Sequence, residues 1–415
     1  VFIAVQPDGR ILIGGYFTTV GGAPRMHLAR LNSDGSVDTS FNPPALNSSV
    51  IALAVQPDGR VLVGGYFDIP QSKIARLNSD GSVDPSFHSP IDTWAGSNPV
   101  GSIGLQADGR IAIGGLFDDS PYRIVARLHP DGSYDSSFVP AIRNEDFSYA
   151  TVAVQGDGKV VAGSWNRGLV RLNADGSLDP SLHLVSNTNC TLGGPVAPFA
   201  QADGGIVVAG FTNVCAAPNA CTVLALRPDG SVQSDLNLPV RGAPEVRHLI
   251  AQPDGRILVA GDILGVDGRP GCGLARLLPD GQPDPAFDVG TGVAWEGEWA
   301  TVVALALQAN GQILIGGGFT NVNGVPRNHL ARLNPDGSVD TEFNPVASLH
   351  LNSPWHGIGA IAVQSDSRIL VGGDFRYGPG LTHQGLARFL PDGTLDPSFD
   401  PGAGLAPQEY SLWVN

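Results

Sequence analysis

The chain has 415 residues and a formal net charge of −15, with 24 Lys and Arg against 39 Asp and Glu, a balance that argues against a nucleic-acid partner. Gly 55 and Pro 33 make up about a fifth of the residues and only 15% are charged, which fits short strands and many tight turns rather than long charged helices. Hydrophobic residues reach 42%, yet no apolar run approaches the roughly twenty residues of a spanning helix, so a cored, non-spanning chain is expected.

Residues 1–6 (VFIAVQ) read as a strand already under way, so any signal peptide is expected ahead of Val1. A tight turn follows at Gln6-Pro7-Asp8-Gly9, where Pro sets φ at the second position and Gly takes the left-handed bulge that closes such hairpins. The same phrase recurs with glycines at 9, 59, 109, 158, 204, 255 and 311 and Ser367 in the eighth place. A second phrase, LARLNSDGSVDTSF at 28–41, follows each one, with its glycine at 35, 81, 132, 176, 230, 281, 337 and 393. Self-similarity at about fifty residues is the sequence signature of a propeller.

Within one repeat the elements are strand A (IALAVQ, 51–56), strand B (RVLVGG, 60–65), a variable connection, strand C (KIARLN, 73–78), an Asp-Gly turn and strand D (SVDPSF, 82–87). The expected fold is therefore all-β, an eight-bladed β-propeller of four-stranded antiparallel blades forming a single domain over 1–415. Repeat boundaries fall at about 1–46, 47–96, 97–145, 146–192, 193–242, 243–296, 297–353 and 354–408, with 409–415 (EYSLWVN) as a closing strand or a linker to a further domain. A β-solenoid would need shorter repeats. The continuous apolar character of strand B fits a sheet covered on both faces by its neighbours.

If the second turn is type I with a Gly bulge, the Arg five residues before its Gly faces the Asp three residues after it. Seven repeats carry both: Arg30 and Asp38, Arg76 and Asp84, Arg127 and Asp135, Arg171 and Asp179, Arg276 and Asp284, Arg332 and Asp340, Arg388 and Asp396. Repeat five has Ala225 and Gln233 instead. Each pair is expected to add at most about 1 kcal/mol if exposed.

The segments GGYFTTVGGAPRMHLARLNSDGSVDTSF (14–41) and GGGFTNVNGVPRNHLARLNPDGSVDTEF (316–343) resemble the bacterial delta-60 repeat, and the resemblance covers essentially the whole chain. Repeats four and five depart from it, with Leu182 and Leu236 in place of the terminal Phe. The resemblance implies a β-propeller from a large secreted or cell-surface bacterial protein and carries no catalytic residues.

Strand order places the A–B and C–D turns on one face of the disc and the B–C and D–A connections on the other, where long loops on a rigid scaffold favour binding. Trp94, Trp295, Trp299 and Trp355 fall in D–A connections, together with Asp92, Glu296, Glu298, His350 and His356. Rings beside hydrogen-bonding acids suit a glycan, a cation or a peptide, and equally suit anchors packed between blades. Residues 143–149 (RNEDFSY) form a weaker second candidate. Strand A ends in Gln in every repeat (Gln6, Gln56, Gln106, Gln155, Gln201, Gln252, Gln308, Gln364), a ring of amides at one channel mouth that most simply bonds the adjacent turns.

Of the four cysteines, Cys190, Cys215, Cys221 and Cys272, the close pair Cys215 and Cys221 is placed to form a local disulfide, with free thiols as the alternative. No Cys/His metal spacing, phosphate loop or nucleophile elbow occurs, so neither metal nor cofactor is expected. The Asp-Gly turns differ in spacing from an EF-hand calcium loop. The functional reading is a non-catalytic binding and scaffold module for a glycan or protein, secreted or at the bacterial cell surface, with further domains of the same polypeptide allowed. Two alternatives stand beside it: a polysaccharide lyase or glycosidase using Glu296, Glu298, Asp92 and His356, and a structural segment of a large appendage.

Overall fold

The computed structural model describes residues 2–93, 99–117, 123–142, 150–164, 168–181, 192–200, 205–212, 220–228, 231–239, 246–261, 263, 265–266, 269–270, 273–295, 298–345, 349–350 and 357–406. The Pro-Asp-Gly phrase makes the first hairpin of a repeat: Gly9 N donates to Gln6 O at 2.9 Å, and Gln6 N to Arg10 O at 2.8 Å. Gly9 takes φ +82°, and Ser367 holds the same left-handed place in repeat eight at φ +67°. Asp8 locks the turn by accepting from Arg10 N at 3.0 Å.

Strands A, B and C pair antiparallel in sequence order. In repeat one they are Phe2–Val5, Ile11–Gly14 and Leu28–Leu31, and in repeat two Val50–Val55, Val61–Gly65 and Ile74–Leu77. Among the described residues eight such antiparallel sheets follow one another, seven of them three-stranded, which makes an all-β propeller. The first residues of strand B are buried, with Ile11, Leu12 and Ile13 fully shielded, because each sheet is covered on both faces there. Strand A is mostly half-buried, as an innermost strand beside a channel should be.

The expected fourth strand is the main difference. In seven repeats segment D touches strand C through a single bridge, such as Leu31↔Val37 or Leu77↔Val83. Immediately beyond, Asp38 Oδ1 accepts from Ser40 N at 2.9 Å and Ser40 Oγ at 2.6 Å, and Phe41 N closes a turn on Asp38 O. That side-chain competition for the backbone ends the strand. A complete fourth strand, Val232–Pro239, occurs in repeat five, paired with Ala220–Leu226.

Once turned, the chain crosses to the next repeat. Asn42 N bonds Asp80 O in the following C–D turn, and Phe41 joins the core of repeat two beside Phe67, Ala75 and Leu77. Burying such a ring stabilises by about 1.5–3 kcal/mol. The D–A connection therefore starts near the Asp-Gly face and climbs between repeats, rather than lying wholly on the opposite face. The last sheet meets the first in the same manner: Asp400 N bonds Asp34 O, and Phe399, Leu386 and Leu405 share a core with Ile11, Phe17 and Leu31. The N-terminal strand itself supplies strand A of repeat one.

Candidate functional site

The Asp-Gly face is occupied by its own structure. Arg30 Nε lies 2.7 Å from Asp38 Oδ2, and the equivalent distance is 2.8 Å for Arg76, Arg127, Arg276 and Arg388, 2.9 Å for Arg171 and 2.7 Å for Arg332. These pairs are buried, so the limit of about 1 kcal/mol for exposed pairs does not apply to them, because the guanidinium is sandwiched between repeats. Arg30 Nη1 reaches forward to Ser79 O of repeat two at 2.6 Å, and Arg171 Nη1 to Pro228 O at 2.7 Å. Arg388 makes the equivalent bond to Ser33 O, so repeat eight is stapled to repeat one. The guanidinium also stacks over the Phe that ends its own phrase, 4.5 Å from Phe41 and 4.9 Å from Phe87.

A second donor comes from the A–B turn. Arg60 Nε stands 3.4 Å from Asp84, Lys159 Nζ 2.9 Å from Asp179, and in repeat seven Gln312 Nε2 donates to Asp340 at 2.8 Å. Burial works against ionising Asp84, but hydrogen bonds from the Ser86 hydroxyl and amide and from Arg76 outweigh it and hold the carboxyl at about 2. Asp135 is held at about 2 in the same way. Among the described residues no group of three or more His, Cys, Asp or Glu is arranged to hold a metal ion. No helix among them is long and apolar enough to cross a membrane.

The opposite face is more ordered than its irregular sequence suggests. In the connection leading to repeat seven, Val293–Trp295 and Glu298–Trp299 form a hairpin, with Trp295 opposite Glu298 and Ala294 opposite Trp299. This pairing puts positions 295 and 299 on opposite faces of the hairpin. The hairpin adds to the B–C hairpin of repeat seven through Val293↔Val322 and Ala294↔Asn321. Leu405–Ala406 pairs with Thr19–Val20 of repeat one in the same manner. At the junction between them, His350 and Arg376 exchange backbone hydrogen bonds of 2.8 and 2.9 Å.

Of the sequence candidates, Trp295 is half-buried, with its ring 5.6 Å from the His329 ring at an interplanar angle of 31°. Glu298 and Trp299 are placed by backbone only, as is Asp92, in the short 3-10 turn Pro90–Thr93. Trp94, Glu296, Trp355 and His356 lie outside the described residues, as do the 143–149 segment and Cys190, Cys215 and Cys272; Cys221 sits in Ala220–Leu226.

Sequence reasoning missed the residue just before strand C. His27, Lys73 and His329 all adopt φ between 63° and 65°, at the place held by Gly273 and Gly385 in other repeats. Burial pushes His329 down to about 4, and nearby His350 adds to the push. A histidine ahead of strand C in two repeats was the available signal, though its left-handed backbone was not readable. The strand A glutamines bond partly as expected: Gln106 Nε2 donates to Gly158 O of the next turn at 2.6 Å. The side-chain oxygens of Gln6, Gln56, Gln252, Gln308 and Gln364 are buried without a hydrogen-bond partner among the described residues, and Gln201 lies outside them.

A family model described as "Domain of unknown function (DUF5122) beta-propeller" matches residues 6–41, 56–87, 106–138, 154–182, 252–287, 308–343 and 364–399, leaving out repeat five. No curated protein matches the chain in sequence. Among solved structures, the Dos1 propeller is similar at 14% identity and TM-score 0.55, over 95% of this chain and 93% of that one. The extracellular domain of a hybrid two component system from B. thetaiotaomicron matches 95% of this chain at 12% identity and TM-score 0.44, and the chain spans about half (51%) of that domain. Virginiamycin B lyase from Staphylococcus aureus matches 78% of this chain and 90% of its own at 13% identity and TM-score 0.44. The Dos1 likeness bears on fold alone.

Proposed function

The chain belongs to the DUF5122 beta-propeller family, and from that premise we propose that it is a non-catalytic binding and scaffold module, secreted or at the bacterial cell surface. Its eight sheets are eight blades of one closed ring over 1–415, the arrangement that the delta-60 resemblance also implies. The ligand is a glycan or a protein, held on the face of the B–C and D–A connections near Trp295, Glu298 and Trp299, with Trp94, Glu296, Trp355 and His356 as further contributors.

One observation carries this reading. The Asp-Gly face spends its repeated Arg, Asp, Ser and Phe side chains on joining one repeat to the next. The connections opposite differ from repeat to repeat and are stiffened by small added sheets. Rigid, variable loops on a repetitive scaffold are where binding residues are favoured.

The test is a glycan-array and surface-capture screen of the wild type against Trp295→Ala and Trp299→Ala. Selective retention that at least one of the two variants loses, with unfolding midpoints unchanged, is the expected result. Retention of no glycan or protein by the wild type rejects the binding reading.

A further inference from the structure

Arg376 lies on strand B of repeat eight, Ile369–Tyr377, and its side chain is exposed. Its two cross-strand neighbours are His350, from the connection leading into repeat eight, and Gln384, from strand His383–Phe389. Directly paired residues share a face, so His350, Arg376 and Gln384 stand side by side in one row, exposed, exposed and half-buried. The row is held by backbone rather than side chains: His350 and Arg376 exchange both hydrogen bonds, and Gln384 N bonds Ala403 O at 3.2 Å. All three side chains can donate hydrogen bonds.

The charge at this row runs against the molecule's. Elsewhere the described basic side chains are largely spent, as Arg10, Arg30, Arg60 and Arg76 all face carboxylates. Arg376 makes no ion pair among the described residues, although Asp374 lies two positions away on the same strand. The turn aspartates that give the chain its acid are on the other face. At physiological salt, where screening acts over about 8 Å, that acid is largely hidden from an anion approaching this row.

We propose that His350, Arg376 and Gln384 form a site for an anionic group, a carboxylate or sulfate ester, carried on a polysaccharide. A guanidinium takes such a group bidentately, and the flanking imidazole and amide supply donors at strand spacing of about 5 Å. A polysaccharide is favoured over an acidic protein because the row is polar. Protein interfaces centre on buried aromatic or apolar anchors, and Phe375 and Tyr377, on either side of Arg376 in the strand, are both buried, the Tyr377 hydroxyl bonded to Leu386 O at 2.9 Å. This inference rests on the glycan form of the proposed function and narrows it to acidic glycans.

The experiment is affinity electrophoresis of the full chain in gels containing polygalacturonate, dextran sulfate, neutral dextran or poly-glutamate, each at low salt and at 0.15 M salt. Retardation by polygalacturonate or dextran sulfate and not by neutral dextran is expected, and which of the two retards more identifies the anion. Arg376→Glu should weaken retention about tenfold or more, because the charge-assisted hydrogen bonds are lost and a like charge replaces them, and Gln384→Ala by less. Arg376 is exposed and its backbone bonds survive substitution, so an unchanged thermal midpoint is expected and is measured on each variant. Retention equal in Arg376→Glu and wild type overturns this site. If neutral dextran is also bound, the wider glycan reading stands without it. Stronger retention by poly-glutamate overturns the choice of polysaccharide, and retention by none of the four overturns the site, while the wider glycan reading stands or falls by the array.

Discussion

Repeat two and repeat five start from the same strand plan and diverge at the Arg/Asp pair and at the Ser-Phe that ends the phrase, which is Asp235-Leu236 in repeat five. In repeat two, Arg76 and Asp84 meet at 2.8 Å, segment D keeps a single bridge to strand C, and the chain turns through Ser86 so that Phe87 enters repeat three's core. In repeat five, Ala225 and Gln233 stand in those places, and residues 232–239 stay beside strand C as a full fourth strand. Where the Arg/Asp pair is present, the last segment of a repeat serves its neighbour, and where it is absent that segment stays with its own sheet. The pair converts a sheet edge into a joint, and the joint recurs from repeat eight to repeat one.

The widest way to break this comparison acts on every pair at once. Each paired Asp has its carboxyl held below the ordinary range, at about 2 for Asp84 and Asp135. A depressed folded value stabilises fully above the unfolded value near 4 and loses that contribution as pH falls toward 2. The thermal midpoint should therefore be flat down to about pH 4 and then drop steeply, with amides of the seven stapled repeats losing hydrogen-exchange protection. A midpoint unchanged down to pH 2 would show that the pairs carry little stability.

A single pair comes next. Arg76→Ala leaves Asp84 buried without its main cation and removes the bond to Pro130 O. Breaking a buried pair by deleting one partner costs about 3–5 kcal/mol, read as a shift of the denaturant midpoint at constant slope. A loss under about 1 kcal/mol would return the pair to the status of a surface contact. Copying repeat five with Arg76→Ala and Asp84→Gln together should cost less than the two single changes summed, with a coupling of about 0.5–3 kcal/mol. Strict additivity would mean that Arg76 and Asp84 do not act as a unit.

These joints also mark what was readable in the sequence. The hairpin at Gln6 to Gly9, the buried strand B and the register opposing Arg30 to Asp38 follow from turn chemistry and period, which are local. Loss of both partners together in repeat five was equally legible. The forward reach of Arg30 to Ser79 O was not, because it links residues 49 apart and depends on how one sheet docks on the next. Nor was the short segment D, where Asp38 takes the Ser40 amide and stops a strand that pattern alone would continue. On the opposite face, the tryptophans stood out by composition, while the row of His350, Arg376 and Gln384 exists only through pairing among three separate segments.

The smallest effect concerns repeat seven, which keeps Arg332 and Asp340 but has lost the second cation. Its A–B turn reads Asn310-Gly311-Gln312, and Gln312 Nε2 donates to Asp340 Oδ2 where the other stapled repeats present Arg or Lys. Gln312→Arg restores a positive charge beside a buried carboxylate. The equivalent Arg10 is 43% exposed, so water and salt screen most of the gain, and no more than about 1 kcal/mol is expected. The turn Asp that Arg10 also contacts is Asn310 in this repeat, so Gln312→Arg with Asn310→Asp should gain slightly more than the single change. Both gains should fade at about 1 M salt, where the screening length falls to about 3 Å. A loss of stability in the single variant would mean that the Gln312 amide fits its place better than a cation does, and that the second cation in the other repeats is incidental to the joint.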